Sequence, residues 1–286
     1  MRVADMTARV TGISLKRLLH VLVLTTAMFP ALELSQRCAS GDTLGDGPDI
    51  ESKVRINVEV LKNDASVVMR AGAAKALGNI GPDAADGAPV LAEALLKDKH
   101  PMVRAQAAKA LGKIGSGTEQ GVLALNKAIW YDEDADVCKN AIQALGEIGD
   151  KSETTLKVLS AVIKEKDQEL GVEALHVLVW LGPDSHTVIY GLCEALLYNN
   201  SVEIRKNAAV ALGEIGPMAR EATPALAKAL EDEDADVRLC AADAIGRIGR
   251  EALEAASALV KATRVDPDMR VRTKAEESLV NLAKNR

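Results

Sequence analysis

Histidine, cysteine and clustered carboxylate side chains are the groups that could give this chain chemistry. Its histidines are His20, His100, His176 and His186. His20 falls in an apolar N-terminal run and His100 stands where a helix begins. His176 and His186 fall on consecutive helical segments with no obvious carboxylate partner at ligand spacing. No phosphate-cradling glycine loop, nucleophile elbow or His-Glu-x-x-His occurs. Cys38, Cys138, Cys193 and Cys240 show no paired spacing, and without residues 1–40 three remain, too few for an all-paired disulfide framework. The run Asp132-Glu133-Asp134-Ala135-Asp136 returns as Asp232-Glu233-Asp234-Ala235-Asp236 and could be read as a cation loop. It lacks the Gly and the distant Glu of a calcium-binding hand. Asp134 and Asp234 stand at helix-cap positions, and Asp136 and Asp236 lie where a helix dipole favours anions. No catalytic, cofactor or metal residue is nominated.

The aromatic residues point to binding. Trp130, Tyr131, Trp180, Tyr190 and Tyr198 all fall in one central stretch, with none elsewhere after residue 40. Trp180 replaces Asn79, Lys113, Glu147, Glu214 and Arg247, the polar residues at the same place in parallel copies of one repeated phrase. Exposed aromatic side chains dominate the energetics of recognition surfaces. Trp130, Tyr131, Trp180 and Tyr198 are therefore the candidate partner-binding residues.

That phrase sets the elements that position them. Ala-Leu-Gly-x-Ile-Gly closes at Gly81, Gly115, Gly149 and Gly216, returns as Ala-Ile-Gly-Arg-Ile-Gly at Gly249 and has a degenerate copy at Gly182, the copies spaced 33 or 34 residues apart. Twelve residues before each closing Gly stand Met69, Val103, Val137, Leu170, Ile204 and Val237. Eight before it are Ala, and four before it Leu or Ile. Such steps place these side chains on one helical stripe. Ser66, Asp134, Asp167, Ser201, Asp234 and Asp268 precede the helix as caps, and His100 takes that place before Pro101. The closing Gly is expected in the left-handed conformation. A second apolar segment follows each Gly, so the unit is a helical hairpin that must stack to bury its face. Residues 50–63 and 268–283 read as half-repeats at the two ends of roughly six hairpins.

The pattern resembles the HEAT-like repeats first associated with phycobilin lyases. The resemblance rests on Asp98, Val103-Arg104, Ala107-Ala108 and Leu111-Gly112, repeated as Asp232, Val237-Arg238, Ala241-Ala242 and Ile245-Gly246. It covers residues 50–286 and implies an all-α fold, a right-handed α–α superhelical solenoid. It further implies that Asp64, Arg70, Asp98, Arg104, Arg205, Asp232, Arg238, Asp266 and Arg272 bridge adjacent repeats. Cys138 and Gly171 stand where Arg is expected, which should interrupt that ladder in mid-array. HEAT-like deoxyhypusine hydroxylases bind di-iron through His-Glu pairs, and this chain has no His-Glu dipeptide.

Residues 1–40 run basic, then apolar, then small, the order of a secretory signal, with a retained anchor or an extra cytosolic helix as alternatives. Residues 41–49 are a Gly/Asp-rich linker. Residues 41–286 carry 30 Lys and Arg against 39 Asp and Glu, a net of −9, which argues against a nucleic-acid groove. The expected function is a non-catalytic protein-interaction scaffold, exported rather than cytoplasmic, with no cofactor. Its partner is a protein or peptide, with no nucleic acid, and membrane contact comes only through an uncleaved N-terminal segment. The alternative is an enzyme or enzyme subunit of the HEAT-like family, similar to a phycobilin lyase.

Overall fold

The computed structural model describes residues 49–115 and 119–284, so the expected signal or anchor (1–40) and most of the linker lie outside the described residues. No strand occurs among the described residues. Helices alternate between two layers. The first helices of the hairpins are α2 (Val67–Ile80), α4 (Pro101–Ile114), α6 (Ala135–Ile148), α8 (Gln168–Leu181), α10 (Val202–Ile215), α12 (Ala235–Ile248) and α14 (Met269–Lys284). The second helices are α1 (Ile50–Asn63), α3 (Ala88–Lys97), α5 (Glu119–Tyr131), α7 (Glu153–Glu165), α9 (His186–Tyr198), α11 (Thr223–Ala229) and α13 (Ala256–Val265). Each second helix packs on the first helix that follows it, and the helices of one layer pack on their neighbours in that layer, an all-α repeat solenoid.

The helix starts follow the cap chemistry. Asp134, Asp167 and Asp234 accept amide hydrogen bonds from the first turns of α6, α8 and α12, and Ser66 and Ser201 do so for α2 and α10. His100 caps as well, its Nδ1 accepting from the Met102 amide at 3.2 Å, ahead of Pro101. The helix ends differ from expectation. Only Gly149 is left-handed in both angles (φ 73°, ψ 30°). Gly81, Gly115, Gly216 and Gly249 combine positive φ with ψ near −140° to −158°, a region essentially confined to glycine. Gly182 has φ −148°, ordinary backbone, in keeping with its degenerate phrase. After Gly81, Gly216 and Gly249 the chain makes a 3-10 turn before the second helix.

The core is the predicted stripe. Leu77, Leu111, Leu145, Leu178, Leu212 and Ile245 are fully buried, each contributing about 1.5–3 kcal/mol by leaving water. Met69 is the exception at its position, 52% exposed. It lies on the first helix of the layer, and no described first helix precedes it to cover it as α2 covers the next.

The first-helix layer packs backbone to backbone. A Cβ added at Gly78, Gly112, Gly213 or Gly246 would lie 2.8–3.1 Å from the Cα of Ala110, Ala144, Ala244 or Ser278 in the next helix. Glycine here answers to close approach, not to turn geometry. Around α8 this contact is lost. Val179 takes the Gly position of the phrase and Val177 the Ala position. A Cβ at Gly146 would meet only the Val177 side chain, at 3.2 Å and beyond.

Candidate functional site

The Arg–Asp ladder is formed. Arg70, Arg104, Arg205 and Arg238 each grip one carboxylate of the following repeat through Nε and Nη2: Asp98, Asp132, Asp232 and Asp266, at 2.6–3.1 Å. Nη1 of each donates to the carbonyl six residues earlier, so one guanidinium ties its own turn to the next. Paired carboxylates raise all four guanidinium pKa values, their hydrogen bonds outweighing burial. Asp132, read from the sequence as part of a possible cation loop, is the acceptor of Arg104. The terminal members make half-rungs. Asp64 accepts the Ser66 amide and lends its carbonyl to Arg70, and Arg272 donates to the Asp266 and Pro267 carbonyls.

The mid-array interruption is also present, and both halves of the rung are exchanged. Cys138 is followed by Lys166 at the next Asp position, and Gly171 by Asn199. Cys138 Sγ lies 3.5 Å from the Asp132 carbonyl, the kind of acceptor that Nη1 takes elsewhere. Lys166 Nζ and Asn199 Nδ2 reach backwards instead, to the Trp130 carbonyl at 3.3 Å and the Ile163 carbonyl at 2.8 Å. Between α6 and α8 the side-chain links are Lys139–Glu169 and Gln143–Glu173, near the surface.

Beside this irregular stretch a groove of about 860 Å³ opens between α7 and α9. On α7, Lys157, Ala161 and Lys164 share one helical face. On α9, His186, Tyr190, Glu194 and Tyr198 do so at steps of four. Gly191 sets how closely the walls meet, since a Cβ there would fall 2.7 Å from Ser160 Oγ. A second groove of about 510 Å³ runs on the other side of α9, against Pro224, Ala225 and Lys228 of α11. Tyr190 (68% exposed) and Tyr198 (62%) border both grooves and form a ridge between them.

Two lysines are held over aromatic faces. Lys166 sits 5.8 Å from the Trp130 ring centroid and Lys228 5.3 Å from that of Tyr198. His186 Nδ1 lies 2.7 Å from Glu221 Oε2, a carboxylate partner absent from the local sequence because it comes from 35 residues away. Cys193, on the wall of the smaller groove, is pushed by burial up to about 11 and so stays a thiol. Burial likewise raises Cys138 and Cys240. Among the described residues no cluster of His, Cys, Asp and Glu stands ready to hold a metal ion.

The four candidate aromatic residues do not form one patch. Tyr198 lies on the groove ridge, and half-buried Trp130 reaches the groove through Lys166. Tyr131, 83% exposed, ends α5. Trp180 is exposed, as its polar counterparts predicted, but it belongs to the first-helix layer and lines neither groove. Tyr190 is the groove residue that the nomination omitted. Its spacing of four from His186 and eight from Tyr198 was the available signal.

Fold and site together define an all-α repeat solenoid with a grooved tyrosine ridge in its second-helix layer. The family model for HEAT repeats matches residues 54–137 and 189–280, more than half of the chain, and the chain belongs to that family. The unmatched stretch holds nearly all of α6, all of α7 and α8, and the first residues of α9, where the Arg–Asp and Gly–Ala contacts lapse. Similar solved structures include an engineered protein at 26% identity, covering 80% of this chain and 68% of that one with a TM-score of 0.48. The complex of CpcE and CpcF of phycocyanin lyase from Nostoc sp. PCC7120 is 21% identical, covering 85% and 98%, with a TM-score of 0.43. The YibA protein of Escherichia coli is 17% identical, covering 82% and 98%, with a TM-score of 0.45. No curated protein matches the chain.

Proposed function

We propose that this chain is a non-catalytic protein-interaction scaffold whose recognition surface is the groove between α7 and α9 with its Tyr190–Tyr198 ridge. The observation that carries the reading is a pair of exposed tyrosines eight residues apart on one helical row, flanked on both sides by hollows, on an otherwise charged and alanine-rich stack. Tyrosine offers a large rigid contact at small entropic cost and anchors many interfaces. The departure of the same stretch from the repeat pattern supports it, because the lost contacts are structural ones that an ordinary repeat retains. Export through residues 1–40 belongs to the same proposal, and N-terminal sequencing of the mature chain from its native source tests it.

The surface is tested by replacing Tyr190 and Tyr198 together with Ser and comparing capture from native extract by quantitative mass spectrometry. A partner retained by the wild type is expected to fall at least about tenfold in the variant, the loss of roughly 1.4 kcal/mol. Helix content by circular dichroism stays unchanged, since both side chains are exposed. Equal capture by the two proteins overturns the proposed surface.

A further inference from the structure

We infer that the groove takes an acidic peptide segment carrying apolar side chains, an inference that rests on the interaction reading above. Three observations lead there. The first is charge. The body of the chain is strongly acidic, yet the groove is lined by Lys157, Lys164 and Lys166 against Glu165 and Glu194, so its sign is reversed. Lys157 is paired with Glu153 and Lys164 lies 3.7 Å from Glu194. Lys166 is ion-paired with no carboxylate among the described residues. It rests on a carbonyl and an indole face, contacts that hold it in place and leave its charge unneutralised. Lys228 lies over the Tyr198 ring, on the far side of the ridge.

The second is shape. Each wall is a helix of 13 residues, about 20 Å long at 1.5 Å per residue. That length spans about six residues of extended chain at 3.3 Å each, and the volume lies within the range of about 300–1,000 Å³ in which pockets enclose a compact ligand. A single small anion would leave most of it empty. The third is the apolar lining, where Ala161, Ile163, Ala195 and the tyrosine rings at the edge supply apolar area beside the lysines. A nucleic acid could stack on the same rings. Its continuous phosphate charge would meet the acidic body on either side, and the groove offers too few cations to offset that repulsion. A peptide with two or three carboxylates reaches Lys166 and Lys228 across Tyr198 without that penalty.

The test is selection from a random eight-residue peptide library displayed on phage, against wild-type protein and three variants: Lys166→Met, Lys228→Glu, and Tyr190→Ser with Tyr198→Ser. Wild type is expected to enrich peptides in which Asp or Glu alternates with apolar residues. A peptide so selected, labelled with fluorescein, should bind Lys228→Glu about tenfold more weakly at low salt, and its binding to wild type should weaken as salt is added. Lys228 is not part of the ladder, and Lys166→Met keeps the apolar contact with Trp130, so folding of both is checked by circular dichroism. Enrichment of basic or uncharged peptides that still needs the tyrosines overturns the acidic partner and leaves the interaction surface standing. Selection indifferent to the tyrosines overturns both.

Discussion

Asp98 accepts three hydrogen bonds, two from the Arg70 guanidinium and one from the His100 amide. Burial alone would push its carboxyl up, but the Arg70 and His100 contacts outweigh that and hold it below its ordinary value. A carboxyl depressed in the native state stabilises above its unfolded pKa, about 3.9, and loses that contribution as pH falls through the native value. Urea unfolding of wild type and Asp98→Asn should therefore show a full gap at pH 7 that narrows below about pH 4. A gap that persists unchanged into acid means the Asp98 charge adds nothing. The Arg residues and most of their partners were legible through the family pattern. Asp132 was missed, although it stands 28 residues after Arg104 as Asp98 does after Arg70, because its run was weighed only for cation binding and helix capping.

Helix pairs meet through glycine, and the two kinds of junction predict opposite outcomes for one substitution. Gly112→Ala places a methyl 2.9 Å from the Ala144 Cα, so α4 and α6 must move apart. Overpacking costs about 1–3 kcal/mol and outweighs the gain of about 1 kcal/mol from replacing Gly in a helix. Gly146→Ala meets only Val177 methyl groups, which can shift, and keeps most of the gain. Thermal or urea unfolding should rank Gly146→Ala at or above wild type and Gly112→Ala below it. The reverse order would show that the backbones of α4 and α6 are not in contact at Gly112. The helices themselves were readable from caps, stripes and closing glycines. That the third residue of the phrase, a glycine, marks contact between helices was not, since a helical Gly looks alike whatever lies against it.

At the scale of the molecule, three inter-repeat devices lapse together between α6 and α10: the arginine grip, the aspartate it holds, and the Gly-on-Ala contact. What remains near the surface, such as Lys139–Glu169, is weak, because solvent screens an exposed ion pair. Stability in a stack is a sum of units and nearest-neighbour interfaces, so the weakest interface opens first. Native-state hydrogen exchange should show the amides of α7 to α9 exchanging before those of α4 and α12. Uniform exchange along the array would sink the idea of a weak seam. Restoring the rung offers a second check. Cys138→Arg with Lys166→Asp should be more stable than the two single changes predict, with a coupling of about 0.5–3 kcal/mol in a double-mutant cycle.

The amino-acid order by itself determined the repeat, its hairpin, the buried stripe and the helix starts. These depend on residues a few positions apart, whose geometry is set by the 3.6-residue turn and by cap chemistry. It also announced where the regularity fails, through Cys138, Gly171 and Trp180. Only the tertiary structure decided that grooves flank the Tyr190–Tyr198 row, that His186 finds Glu221, and that Met69 is uncovered. Those outcomes turn on how surfaces some 30 residues apart come to rest on one another, and that depends on small differences in spacing between docked helices. A Val in place of an Ala or Gly is enough to change that spacing, and the period of the chain carries no record of it.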